Sequence, residues 1–111
     1  MKTAKTLTLN SPSKYNPSSK RWTIFVANED IWYMYGQLEE KIFEFERKYS
    51  PNSVTEETYL YFMQIELYKK TLKLLRTAAN TNKNSLSITK TEAFALSKID
   101  SYCKGLVSRI I

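Results

Sequence analysis

Three stretches of this chain repeat apolar residues at alternating intervals of four and three, a spacing that commits each to a helix burying one face. The first is Ile31, Tyr35, Leu38, Ile42, Phe45 and Tyr49. The second is Tyr61, Ile65, Tyr68, Leu72, Leu75 and Ala79, and the third is Leu96, Ile99, Cys103, Leu106 and Ile110. A strand alternates with period two and cannot hold such rows on one side. Asn28 stands where it can cap the first helix, and Glu29 and Asp30 follow in the first turn, where negative charge favours the helix dipole. Ser50-Pro51-Asn52 stops that helix. Ser53 with Glu56, and Thr89 with Glu92, have the spacing of capping boxes. Helices are therefore predicted at about 29–49, 54–79 and 89–110.

The second segment carries another apolar row, Leu60, Met63, Leu67, Leu74 and Ala78. A helix with two apolar faces lies centrally and touches neighbours on both sides. The expected fold is mainly α, an antiparallel three-helix bundle over residues 22–111 in one domain. Residues 1–21 precede it as an extended, turn-rich arm bearing Lys2, Lys5, Lys14, Lys20 and Arg21 and no acid. Within the arm, Thr6 to Leu9 alternates weakly, as a short strand would. Residues 22–27 are β-branched and aromatic and predict a short strand or a segment packed on the core. Residues 80–87 read as a polar loop.

Residue types exclude much chemistry. The chain has no histidine, one cysteine and two isolated glycines in 111 residues. Without histidine there is no Ser-His-Asp or Cys-His nucleophile. One thiol cannot build a zinc site or an intrachain disulfide, and suits a reducing compartment. Two isolated glycines cannot form a phosphate-cradling loop. The acids Glu39, Glu40, Glu44 and Glu46 read as a solvated face rather than a cation site. No catalytic residue, metal or cofactor is expected. Apolar runs fall far short of the roughly 18 residues of a membrane span, and the polar start resembles no secretory signal. No membrane partner is expected, and the cytoplasm is the expected location. Cys103, amid apolar residues at helical spacing, reads as core.

Charge and aromatics point to binding. Lysine and arginine number 17 against 11 acids, a net charge of +6. Lys69, Lys73 and Arg76, four and three apart, share one face late in the second helix. Lys83 and Lys90 follow at the same end of the bundle. With Lys14, Lys20 and Arg21 of the arm they are the expected contacts to nucleic-acid backbone, RNA or DNA alike. Aromatics make up 14% of the chain and cluster at Trp32, Tyr33 and Tyr35 and at Tyr59, Tyr61 and Phe62. Consecutive residues point all round a helix, so such runs cannot all face one core. Trp32, Tyr33, Phe43, Tyr59 and Phe62, with the apolar Ile110 and Ile111, are the expected protein-facing surface, toward a larger complex or a second copy. The sequence thus predicts a small basic accessory protein, not an enzyme, that binds nucleic-acid backbone or a complex handling it. The alternative is an inhibitor or adaptor that uses the aromatic surface without nucleic acid.

Overall fold

The structure, a computed structural model, describes residues 14–48, 56–108 and 110, with the backbone alone for 56–61. The expected strand at Thr6–Leu9, the Ser53 cap, Ile111 and the side chain of Tyr59 lie outside the described residues. The elements in order are β1 (Lys14–Asn16), β2 (Arg21–Phe25), α1 (Asn28–Lys48), α2 (Glu56–Asn80), β3 (Ser85–Ile88), α3 (Lys90–Ser97) and α4 (Ser101–Val107). The fold is mostly helical with a small antiparallel sheet of order β1-β2-β3, where three continuous helices were expected.

Three differences follow from local chemistry. First, the arm is not extended from Lys14 on. It doubles back as a hairpin, with Lys14, Tyr15 and Asn16 opposite Thr23, Trp22 and Arg21. Pro17 opens the turn, the Ser18 N–H donates to Asn16 Oδ1 at 3.0 Å, and Lys20 closes it in the left-handed region at φ 56°. Second, the expected loop at 80–87 contains β3. Ser85-Leu86-Ser87-Ile88 alternates strictly, with Leu86 and Ile88 buried and Ser87 exposed. Third, the third helix is two. Asp100 has an extended backbone, and its carboxylate accepts the Cys103 N–H at 2.8 Å, so it caps a new helix. The apolar row runs through the break: Leu96, Cys103 and Ile110 are buried, but in the last turn of α4 Val107 rather than Leu106 is the fully buried residue.

Among the described residues the expected seams of the first two helices hold; Tyr49 and the side chain of Tyr61 lie outside them. Ile31, Leu38 and Ile42 of α1, and Ile65, Tyr68, Leu75 and Ala79 of α2, are buried. Phe45 stacks on Tyr68 across the α1–α2 pair at 5.5 Å. α2 packs on α1 with one face and on β3 and α3 with another, as its two apolar rows require. Ile24, Leu86 and Ile88 of the sheet close the core. Cys103 is fully buried, and burial, with Asp100 beside it, pushes its thiol up to about 12.

Asn28 does something other than cap its own helix. Its side-chain amide donates to the carbonyls of Ala79 and Lys83, both at 3.2 Å, and its backbone N–H donates to Asn84 Oδ1 at 2.9 Å. It therefore ties the start of α1 to the end of α2. α2 itself ends in a Schellman motif: Lys83 N–H to Ala78 O, Asn82 N–H to Ala79 O, and Asn82 left-handed at φ 55°.

Candidate nucleic-acid interface

The end of α2, the strand β3 and the start of α3 surround Arg21, and the packing leaves a cleft between them. The second apolar row of α2 supplies its floor through Leu67, Leu74 and Ala78. One cavity, of about 400 Å³, is lined by Arg21, Lys70, Lys73 and Lys83 over Leu74 and Ala78. A second, of about 650 Å³, is lined by Lys20, Lys70 and Lys90 with Tyr15, Trp22 and Leu67. Lys70 and Glu92 belong to both walls, so the two cavities lie side by side in one basic cleft region.

Glu92 organises the junction. The Thr89–Glu92 capping box is complete: Thr89 Oγ1 accepts the Glu92 N–H at 3.1 Å, and Glu92 Oε1 accepts the Thr89 N–H at 2.9 Å. Oε1 also takes Arg21 Nη1 at 3.2 Å, and the same Nη1 donates to the Ser87 carbonyl at 2.8 Å. Glu92 is 1% exposed, and its Oε2 is buried with no hydrogen-bond partner among the described residues. A buried carboxylate oxygen left without a donor costs free energy, so the junction holds one unmet acceptor.

The Arg21–Glu92 pair is locally neutral. Lys20, Lys70, Lys73, Lys83 and Lys90 are exposed and make no ion pair among the described residues. Their charges are left to solvent or to a ligand. The cleft is therefore an anion-attracting surface over an apolar floor.

Of the eight basic residues expected at a nucleic-acid face, Arg21, Lys73 and Lys83 meet in the first cavity, and Lys20 and Lys90 meet in the second. Three do not join them. Lys69 turns toward α1 and pairs with Glu46 at 3.0 Å. Arg76 and Lys14 are exposed and line neither cavity. Lys70, which the sequence reading passed over, is central. Its signal was present: the second apolar row skips from Leu67 to Leu74, and Lys70 fills the skipped heptad position.

The expected protein-facing residues disperse. Phe43 is 65% exposed and borders a shallow cavity with Gly36, Glu39, Glu40 and Arg47 on the outer face of α1. Trp32 is 44% exposed and meets Tyr35 edge-on at 5.9 Å. Tyr33 is engaged within the chain, its hydroxyl donating to Asp100 at 2.7 Å. Phe62 is half-buried. Ile110 is buried in the chain's own core.

No three His, Cys, Asp or Glu side chains gather as a metal set among the described residues, and no described helix is long and apolar enough to cross a membrane. No family model, curated protein or solved structure matches the chain.

Proposed function

We propose that the chain is a non-enzymatic binding protein that holds nucleic-acid backbone in the basic cleft, alone or within a complex that handles nucleic acid. One observation carries this reading. Three lysines without ion-pair partners among the described residues, Lys70 and Lys73 of α2 and Lys83 of the loop after it, converge on one cavity beside the Arg21–Glu92 pair, and Lys20 and Lys90 extend the row next door. A solvated charge run on one helix would not bring β2, α2 and the loop after it to a common point. Phosphates along a strand are a repeating anion that such a row suits. The apolar floor suits sugar and base edges.

The test is a binding titration of a labelled oligonucleotide across a salt series. Four to five phosphate contacts should give a log–log slope near about −3 for a single strand. The double variant Lys73→Glu/Lys83→Glu should abolish binding, whereas Lys69→Glu, on the other side of α2, should leave most of it. Equal losses in the two variants would refute the cleft.

The exposed ring of Phe43 with its bordering cavity favours a second reading, a protein partner on the outer face of α1. That face and the cleft are different surfaces, so Phe43→Ser should lower partner affinity without changing oligonucleotide binding.

A further inference from the structure

Tyr15 breaks the rule that governs its neighbours. Across the sheet, Tyr15 opposes Trp22, Trp22 opposes Ile88, and Ile24 opposes Leu86. Directly opposed residues point to the same side, so these five share one face of the sheet. Ile24, Leu86 and Ile88 on that face are sealed in the core. Trp22 is half-buried. At the edge strand the face has run past the core, and Tyr15 remains 48% exposed. Its ring rests on Trp22 with centroids 4.8 Å apart and planes at 43°. The two rings form one wall of the 650 Å³ cavity, whose other walls carry Lys20, Lys70 and Lys90. An inward-pointing aromatic that its own core does not cover, ringed by lysines without ion-pair partners, is a platform rather than a packing residue.

We infer that the cleft selects unpaired nucleotides, stacking a base on Tyr15 while Lys20, Lys70 and Lys90 hold the flanking phosphates. This deepens the nucleic-acid reading above and rests on it. One physical reason favours a single strand over a duplex. The faces of paired bases are covered by their stacked neighbours, so a side chain reaches a π face only when a base is unstacked. Lysines alone would bind both forms.

The experiment compares an oligothymidylate of about 12 nucleotides with the corresponding adenine–thymine duplex at one fixed salt, by fluorescence anisotropy on the full chain. The single strand should bind about tenfold or more tightly than the duplex. Tyr15→Leu keeps an apolar contact with Trp22 but removes the π face; it should weaken single-strand binding about tenfold and leave duplex binding unchanged. Tyr15→Phe should retain both. A measurement on the unaltered platform guards against a misfolded variant: in Trp32→Phe, which leaves Trp22 as the one tryptophan, the single strand should quench Trp22 emission and the duplex should not. Equal affinity for both forms, with no quenching and a silent Tyr15→Leu, would overturn this inference while Lys73→Glu/Lys83→Glu still abolished binding and kept the backbone reading. Binding to neither form would overturn both.

Discussion

Tyr33 on α1 and Tyr102 on α4 meet edge to face, with ring centroids 5.3 Å apart, and each donates its hydroxyl to an acid on the other's helix or cap. Tyr33 reaches Asp100 Oδ2 at 2.7 Å, and Tyr102 reaches Asp30 Oδ1 at 2.6 Å. The exchange clasps α4 to the first turn of α1. Asp100 has a double role, since it also caps α4 through the Cys103 N–H. Part of the aromatic surplus therefore joins elements of this chain.

The clasp gives stability a dependence on pH at both extremes. The Cys103 N–H, chiefly, and the Tyr33 hydroxyl hold the Asp100 carboxyl below its ordinary 3.8, against the opposing effect of burial. A depressed carboxyl contributes stability above its unfolded value and loses it as pH falls through the folded one. The bonds to Asp100 and Asp30 raise Tyr33 and Tyr102 above their ordinary 10.0. Raised hydroxyls contribute stability below the unfolded value and lose it as pH climbs. The buried Cys103 thiol, pushed up to about 12 from its ordinary 9.0, adds to the alkaline loss, so denaturant midpoints should be flat from about pH 5 to about pH 8 and fall outside that window. Tyr33→Phe/Tyr102→Phe should blunt the alkaline fall.

Asn28 separates two kinds of cap. If it capped α1, Asn28→Asp would be neutral, because Asp and Asn cap N-termini equally well. It instead donates through Nδ2 to the carbonyls of Ala79 and Lys83, and a carboxylate cannot donate. Both Asn28→Ala and Asn28→Asp should therefore destabilise by about 1–2 kcal/mol. Thermal melting should register that as a fall of roughly 4–8 °C per kcal/mol.

Glu92 joins fold and cleft. Glu92→Ala removes the reciprocal half of the capping box and leaves Arg21, itself partly exposed, without its carboxylate. A loss of about 2–3 kcal/mol is expected. Glu92→Gln can preserve the cap hydrogen bond and should cost about 1 kcal/mol. Chemical denaturation of the two variants beside the parent chain checks the order.

Lys20 should show opposite signs for stability and binding. It occupies the left-handed region at φ 56°, which costs a residue with a Cβ about 1 kcal/mol. Lys20→Gly should stabilise the hairpin by up to about 1 kcal/mol while weakening oligonucleotide binding, because a wall cation is lost. Melting and a binding titration on one preparation read both.

The helical part of the fold was legible because period and caps agreed: the seams of α1 and α2, the Thr89–Glu92 box and the burial of Cys103 follow from spacing alone. The break at Asp100 was hidden because Leu96, Cys103 and Ile110 keep heptad spacing across it, and two short helices can present one row as well as a long one. β3 was hidden because two serines and a preceding run of asparagines make Ser85–Ile88 look like loop, although Leu86 and Ile88 alternate with them. In the cleft, the sequence marked the bases of β2, α2 and the loop after it, but facing was a matter of tertiary packing. Lys69 and Lys70 are adjacent in sequence; the Glu46 carboxylate on α1 takes one, and the cleft takes the other.

The cleft is also late to exist. Its walls come from Arg21, Lys70, Lys83 and Glu92, residues separated by most of the described chain, and the carbonyl of Lys83 is gripped by Asn28 only once α1 has met the end of α2. A chain growing on the ribosome would already carry most of its positive charge when α2 emerges, yet the charges would not be gathered. They come together when α3 follows and Glu92 meets Arg21, so the cations of the cleft are made before the cleft that gathers them.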